Sequence, residues 1–462
     1  MPHQHRHPTR PAARHPIAWA LALAFGLGAA HHAQAQSLKE LYEAARSYDA
    51  TYLAAKALAD SAQYKAAQAD GLQRPTVGLS AGATRSESDV PDSKSSSTGQ
   101  TLPGSGGRFG TTTLQTGISA TQPLYNPANS ANVSQARRSL EVSRADLEVA
   151  EQDLIVRVAQ AYFDVLAAQD SLTTAQTSKK AISEQLASAK RNFEVGTATI
   201  TDTREAQARF DLATAQELAA DNDLRTKRLA LDSLTGRTDV TPKLLATPFA
   251  LPANANGAVD AWVGTAETQH PLVRKAQLAL AIAKLETDKA RAADGPTLDL
   301  NGNLGGSRAT GSGTNSPGAT VSASVGVQFK MPLYSGGSLQ NRIKETLVLE
   351  DKSRNDLDAA RRGVVQGTRA AFLGVQSLQA QVKALEAAES SSQLALEATQ
   401  LGYKVGVRVN LDVLNAQTQL FTTRRDLAKA RYDVLVNGLK LRQAAGQLKP
   451  EDVGAVDRLL AK

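Results

Sequence analysis

Few side chains in this chain could carry covalent chemistry, and their placement narrows the field further. Cysteine is absent, so there is no thiolate nucleophile, no disulfide frame and no Cys-ligated metal. Of seven histidines, His3, His5, His7, His15, His31 and His32 crowd the N-terminus, and His270 alone follows, in a Gln-His-Pro turn before a helix. The glycine run Gly104-Ser105-Gly106-Gly107 lacks the Lys-Ser/Thr ending of a phosphate loop. Carboxylates are plentiful, but they sit at heptad spacing, where they read as solvated helix flanks rather than acid–base pairs. These residues point away from a catalytic pocket, and no cofactor or metal is expected. Two carboxylates stand apart, Asp202 and Asp412, each a few residues beyond a Val-Gly pair.

Those two carboxylates belong to a stretch that occurs twice. A helix-compatible run reaches Val195-Gly196 in one copy and Val405-Gly406 in the other, passes through β-branched and polar residues, and restarts near the Asp. Gly196 and Gly406 supply left-handed helix ends, and Asp202 and Asp412 are expected as N-caps of the returning helices. Each copy therefore reads as the tip of a helical hairpin. A carboxylate at such a tip can cap a helix or line an opening, and residue type leaves both readings open.

The elements that must position these tips follow from the rest of the chain. Residues 1–35 read as a secretory signal: Arg6, Arg10 and Arg14 precede an apolar run over 17–28, and Ala33-Gln34-Ala35 fits a small-x-small cleavage site. The formal net charge of +7 includes those three arginines, and the remaining charges alternate in sign along helices, unlike a nucleic-acid footprint. Beyond residue 35 no apolar run is long enough for a transmembrane helix, so any membrane crossing must use strands.

Internal repetition organises the chain. A shift of 209 places Pro123 on Pro332, Tyr125 on Tyr334 and Phe163 on Phe372. A shift of 210 places Gly196 on Gly406, Asp202 on Asp412 and Gly236 on Gly446, while Pro75 meets Pro296 at 221. The expected units are repeat 1 over 36–236, a linker over 237–258, repeat 2 over 259–446 and a tail over 447–462. Each repeat runs helix, strand pair (about 75–124 and 296–332), long helix (about 129–194 and 338–404), tip (195–202 and 405–411) and return helix.

The strands alternate with period 2. Val77, Leu79, Ala81 and Ala83 share one face of the first, and Val321, Ala323, Val325, Val327 and Phe329 share one face of the last. Small or polar residues fill the other face, and Gly/Ser/Thr-rich loops over 85–110 and 305–320 join the pairs. A soluble sandwich also alternates. Runs of about ten residues with so few bulky partners fit a lipid-facing sheet better.

The helices carry a seven-residue rhythm: Leu140, Leu147, Leu154, Ala161 and Ala168 beside Val142, Val149, Val156 and Phe163, then Leu357, Val364, Ala371, Leu378 and Leu385. Two such series on one rod let it supercoil against neighbours on both sides. The long rods would reach about 98 Å each, whereas 38–72 and the return helix are about half that length. Rods this long and poor in large apolar groups suit the wall of a hollow tube.

Over nearly the whole chain beyond the signal, the sequence resembles the TolC-type outer-membrane efflux and secretion ducts. The resemblance rests on Ala161-Tyr162-Phe163-Asp164-Val165-Leu166, the tips from Phe193 to Asp202 and from Tyr403 to Leu414, Pro332-Leu333-Tyr334-Ser335-Gly336-Gly337, Ala430-Arg431-Tyr432 and Ala445-Gly446. It implies a mainly α chain with membrane β: a homotrimer whose protomers each give four strands to a twelve-stranded barrel in outer-membrane lipid, continued by a long α-helical barrel. It further implies a mixed belt formed by the linker and tail, a passive channel that is not an enzyme, and docking to a periplasmic adaptor and an inner-membrane pump or ABC exporter. Because the transporter selects the cargo, drugs, metals and protein toxins all fit. The resemblance also assigns a gate. Tyr403 and Arg408 match positions that tie the inner hairpin to its neighbour, Thr201 and Asp202 match their partners, and Asp412 matches the first acidic ring of the aperture. Asn415 stands where the second acidic ring is expected, which should weaken cation binding there. A periplasmic coiled-coil adaptor is the alternative, but no lipoyl-like β module or anchor is evident.

Overall fold

The computed structural model describes residues 35–103, 106–246, 258–312 and 318–461. The expected signal, apart from Ala35, and residues 247–257 of the linker lie outside them. Repeat 1 contains α1 (Leu38–Tyr48), α2 (Ala50–Asp70), β1 (Thr76–Val90), β2 (Gly107–Tyr125), α3 (Pro127–Glu194) and α4 (Ile200–Thr235). Repeat 2 contains α5 (Val259–Gln269), α6 (Pro271–Ala292), β3 (Thr297–Gly311), β4 (Gly318–Lys330), α7 (Ser338–Lys404) and α8 (Asn410–Ala444), followed by α9 (Pro450–Asp457). With 68 and 67 residues, α3 and α7 are rods of roughly 100 Å. Along α3 pack α2 and α4, and along α7 pack α6 and α8. Among the described residues, no helix is long and apolar enough to cross a membrane.

The single helix expected over 38–72 is two helices. Asp49 leaves helical geometry (ψ 114°) and caps α2, accepting from the Tyr52 amide at 2.8 Å. Its carboxylate also takes two hydrogen bonds from the Arg157 guanidinium on α3, both 2.9 Å, which hold its pKa below the usual range. The same break recurs at His270, 221 positions on: its Nδ1 accepts from the Leu272 amide at 3.1 Å, and Pro271 opens α6. Burial pushes the His270 imidazole pKa down. Each break receives the end of its return helix. Gly236 (φ 67°) abuts the Tyr48 ring and Gly446 (φ 68°) abuts the His270 backbone, so close that a Cβ would overlap either. Positive φ and this close approach are what require glycine at both.

The strands form one antiparallel sheet in the order β1-β2-β3-β4, so β2 and β3 join the repeats. Its register places Leu79, Ile118, Leu304 and Ala323 in one row and Val77, Ala120, Gly302 and Val325 in the next. Residues directly opposite share a face, so the apolar positions of all four strands lie together. The opposite face carries Gln115, Ser119, Asn301, Asn303 and Gln328, where Thr121 donates to Asn301 at 3.0 Å. The strands are 15, 19, 15 and 13 residues long, longer than expected. The apolar alternation stops before the ladder does: Thr111, Thr112 and Thr113 continue the pairing across polar positions, as β-branched residues favour.

The main core sits midway along α3. Leu154, Ile155, Val158, Tyr162, Phe163 and Leu166 pack against Leu41 of α1, Leu231 of α4, Tyr432 and Leu439 of α8, and Val453 of α9. Phe163 stacks on Tyr432, whose hydroxyl donates to Asp170 at 2.6 Å. The Tyr162 hydroxyl lies between the carbonyls of Gln36 and Lys243 and donates to the nearer, Lys243, at 3.0 Å, and short bridges join Gln36 to Pro242 and Leu245 to Leu460. The described part of the linker and the tail thus wrap the rods at mid-length.

Candidate gate at the hairpin tips

Both tips end their incoming helix in the same way. Gly196 (φ 78°) and Gly406 (φ 83°) turn the chain left-handed. The carbonyl six residues before the second turn residue then collects two amides: Asn192 takes Thr197 and Ala198, while Gly402 takes Val407 and Arg408. This satisfies helix-end carbonyls that would otherwise lack partners.

The restart differs between the copies, and neither Asp is the N-cap that the residue pattern suggested. In the first, Thr199 caps α4 and Asp202 is the third helical residue, completing a reciprocal capping box. The Asp202 carboxylate accepts from the Thr199 amide at 3.0 Å and from its hydroxyl at 2.7 Å. In the second, Val409 stands where Thr199 does and makes no side-chain cap. Asp412 is thereby left without a capping role, and its carboxylate faces Arg408 at 3.5 Å. The same fold position holds a capping carboxylate in one repeat and an ion-paired one in the other.

Within the protomer, Arg408 and Tyr403 do not meet Thr201 or Asp202. Thr201 is exposed. Tyr403 packs against Leu396, Val413 and Leu420, and its hydroxyl accepts from the Asn192 amide group at 3.1 Å. Asn415 accepts from Arg209 of α4 at 3.0 Å, and Gln185 of α3 donates to Asn410. Three polar links therefore join the two hairpins near their tips, through Asn192, Gln185 and Arg209, residues that sequence reasoning did not select. The first and the third touch gate positions it did select, Tyr403 and Asn415. Within the protomer, Thr203 Oγ1 and Asn410 Nδ2 beside the tips, and Gln417 Oε1 further along α8, are buried without a hydrogen-bond partner.

One further residue was legible in the repeat. A shift of 210 aligns Asn192 with Gly402 and Ala198 with Arg408. A Cβ on Gly402 would lie 2.8 Å from Arg408 Cγ, so the bulky residue of one pair requires the bare residue of the other. Among the described residues, no group of three or more acidic or histidine side chains could hold a metal ion.

The comparisons agree with this architecture. The chain matches the outer membrane efflux protein family over residues 29–237 and 262–447. It is 31% identical over 421 residues to the outer membrane protein TolC of Vibrio cholerae, covering 91% of this chain and 92% of that one. It is 33% identical over 347 residues to the alkaline protease secretion protein AprF of Pseudomonas aeruginosa, covering 73% and 71%. In structure it is similar to the outer membrane protein VceC of Vibrio cholerae, with a TM-score of 0.72 at 20% identity over 88% of this chain and 96% of that one. With both repeats matched and the fold shared, the chain belongs to the outer membrane efflux protein family.

Proposed function

We propose that three copies of this chain form a passive exit duct through the outer membrane and across the periplasm. The observation that carries the reading is a sheet with one bare apolar face and two unpaired edges. Leu79, Val321 and Val325 are each about four-fifths exposed in the protomer (78%, 79% and 82%). An open edge cannot persist in lipid, and closing four strands with eight more removes both edges. The closed barrel then turns Leu79, Ile118, Val325 and Phe329 to hydrocarbon, and Gln115, Ser119, Asn301 and Gln328 to the lumen. The family is one of channels, and passage needs no covalent step. A periplasmic adaptor would have no use for such a sheet.

The hairpins α3–α4 and α7–α8 form the tube that reaches toward an inner-membrane pump or ABC exporter and its periplasmic adaptor. Relatives named for protease secretion and for efflux support type I secretion or a tripartite pump as the setting. The tips form the gate: Tyr403 and Arg408 hold α7–α8 to the neighbouring copy through Thr201 and Asp202, Asp412 rings the aperture, and opening untwists the inner pair. Support comes from how weakly the tips are held. The exposed Arg408–Asp412 pair, 3.5 Å apart, is worth only about 0–1 kcal/mol. The double variant Arg408→Ser with Tyr403→Phe should raise single-channel conductance in planar bilayers. Unchanged conductance would remove the lock.

A further inference from the structure

The loss of a carboxylate at position 415 is only half of the change in charge at the tip. Asn415 Oδ1 accepts from Nη2 of Arg209 at 3.0 Å, and Arg209 comes from α4, the return helix of the other hairpin. Among the described residues, no carboxylate lies within ion-pair distance of Arg209, whereas Asp412, one turn from Asn415, is already opposed by Arg408 at 3.5 Å. Arg209 also lines a groove of about 330 Å³ between α3, α4 and α8, with Ser178, Gln216, Thr418 and Arg425. Arg425 is paired to Asp426 at 2.9 Å, so that, among the described residues, Arg209 is the cation of that groove without a carboxylate partner.

We infer that Arg209 is a selectivity-determining residue: it makes the aperture favour anions where the family's two acidic positions would favour cations. This rests on the reading that Asp412 and Asn415 face the constriction. In each protomer Arg408 is opposed by Asp412, whereas the Arg209 guanidinium meets only the neutral Asn415 and adds an uncompensated positive charge. A ring of fixed charge sets which ions a narrow pore accepts. An arginine keeps its charge at any working pH, so the preference is permanent. Asn415 takes part as a neutral acceptor that holds the guanidinium at the opening; an Asp there would neutralise it.

The test is the reversal potential of the reconstituted full-length channel across a planar bilayer in a KCl gradient, at low ionic strength because salt screens such a ring within about 10 Å at 0.1 M. The wild type should favour chloride. Arg209→Gln keeps a donor for Asn415 but loses the charge, and should lower the chloride-to-potassium permeability ratio about two- to threefold. Arg209→Lys should stay near the wild type, and Asn415→Asp should move in the direction of Arg209→Gln. If Arg209→Gln leaves the ratio unchanged while Asp412→Asn raises it, Arg209 does not set selectivity and the aperture reading survives. If neither variant moves it, the aperture reading falls too. Equal shifts for the Gln and Lys variants would show that the link between hairpins matters and the charge does not, which also overturns the proposal.

Discussion

At the second tip an absent side chain does the positioning. Gly402 lies within α7, where glycine weakens a helix by about 0.8–1.0 kcal/mol relative to alanine, yet a Cβ there would meet the Arg408 stem. Gly402→Ala therefore sets two effects against each other. Helix propensity should hold or raise thermal stability, while the displaced Arg408 loses the proposed hold on the neighbouring copy and closed-state conductance rises. A bilayer recording paired with a melting curve separates them. If conductance stays at the wild-type level, the stem of Arg408 has room to spare and Gly402 is not a positioning residue. The glycine could be recognised because the repeat supplies its own control, Asn192 opposite Ala198. Arg209, Asn192 and Gln185 have no such signal: their role depends on where α3 and α4 pass α8, and no local pattern encodes that crossing.

Between elements, the breaks at Asp49 and His270 hold the short helices on the long ones. Asp49→Ala removes a cap and two hydrogen bonds from the Arg157 guanidinium, which keeps its pair with Asp153, for a cost of about 1–2 kcal/mol; trimers should separate at a lower temperature on heated gels, and an unchanged temperature would deny the break its structural role. Nearer the sheet, Glu286 of α6 accepts from Gln135 of α3 and pairs with Lys289 and with Arg342 of α7. These partners, the Gln135 hydrogen bond foremost, lower its pKa to about 2. A lowered carboxylate pKa means that the folded state binds the proton less readily than the unfolded chain. The stabilisation is complete above the unfolded value, near 4.3, and is lost as pH falls from there through about 2. Melting temperature should drop over that window in the wild type and less steeply in Glu286→Gln; identical slopes would mean that Glu286 does not link α3, α6 and α7. The break at Asp49 escaped the reading of 38–72 because no Pro or Gly marks it. Pro271 marks its counterpart, and the shift of 221 that pairs Pro75 with Pro296 also pairs Asp49 with His270.

For the whole molecule, the sheet and the rods ask for company in the same way. The sheet's alternation was legible because its two faces meet different surroundings, and the register gathers the apolar positions of all four strands on one side. Strand length was less legible, since backbone pairing runs on through threonines and glycines after the apolar band has ended. The rods bury Leu154, Phe163, Leu357 and Val364, while Leu140, Leu147, Leu378 and Leu385 stay half-buried in the protomer, as expected of a wall whose sides adjoin further copies. The central claim is that one chain cannot close the barrel and three can. Its most direct test is the protein mass of the detergent-solubilised particle, measured by light scattering with the detergent contribution subtracted. The account predicts three chain masses in a single species; a stable species of one chain mass that still conducts would contradict it.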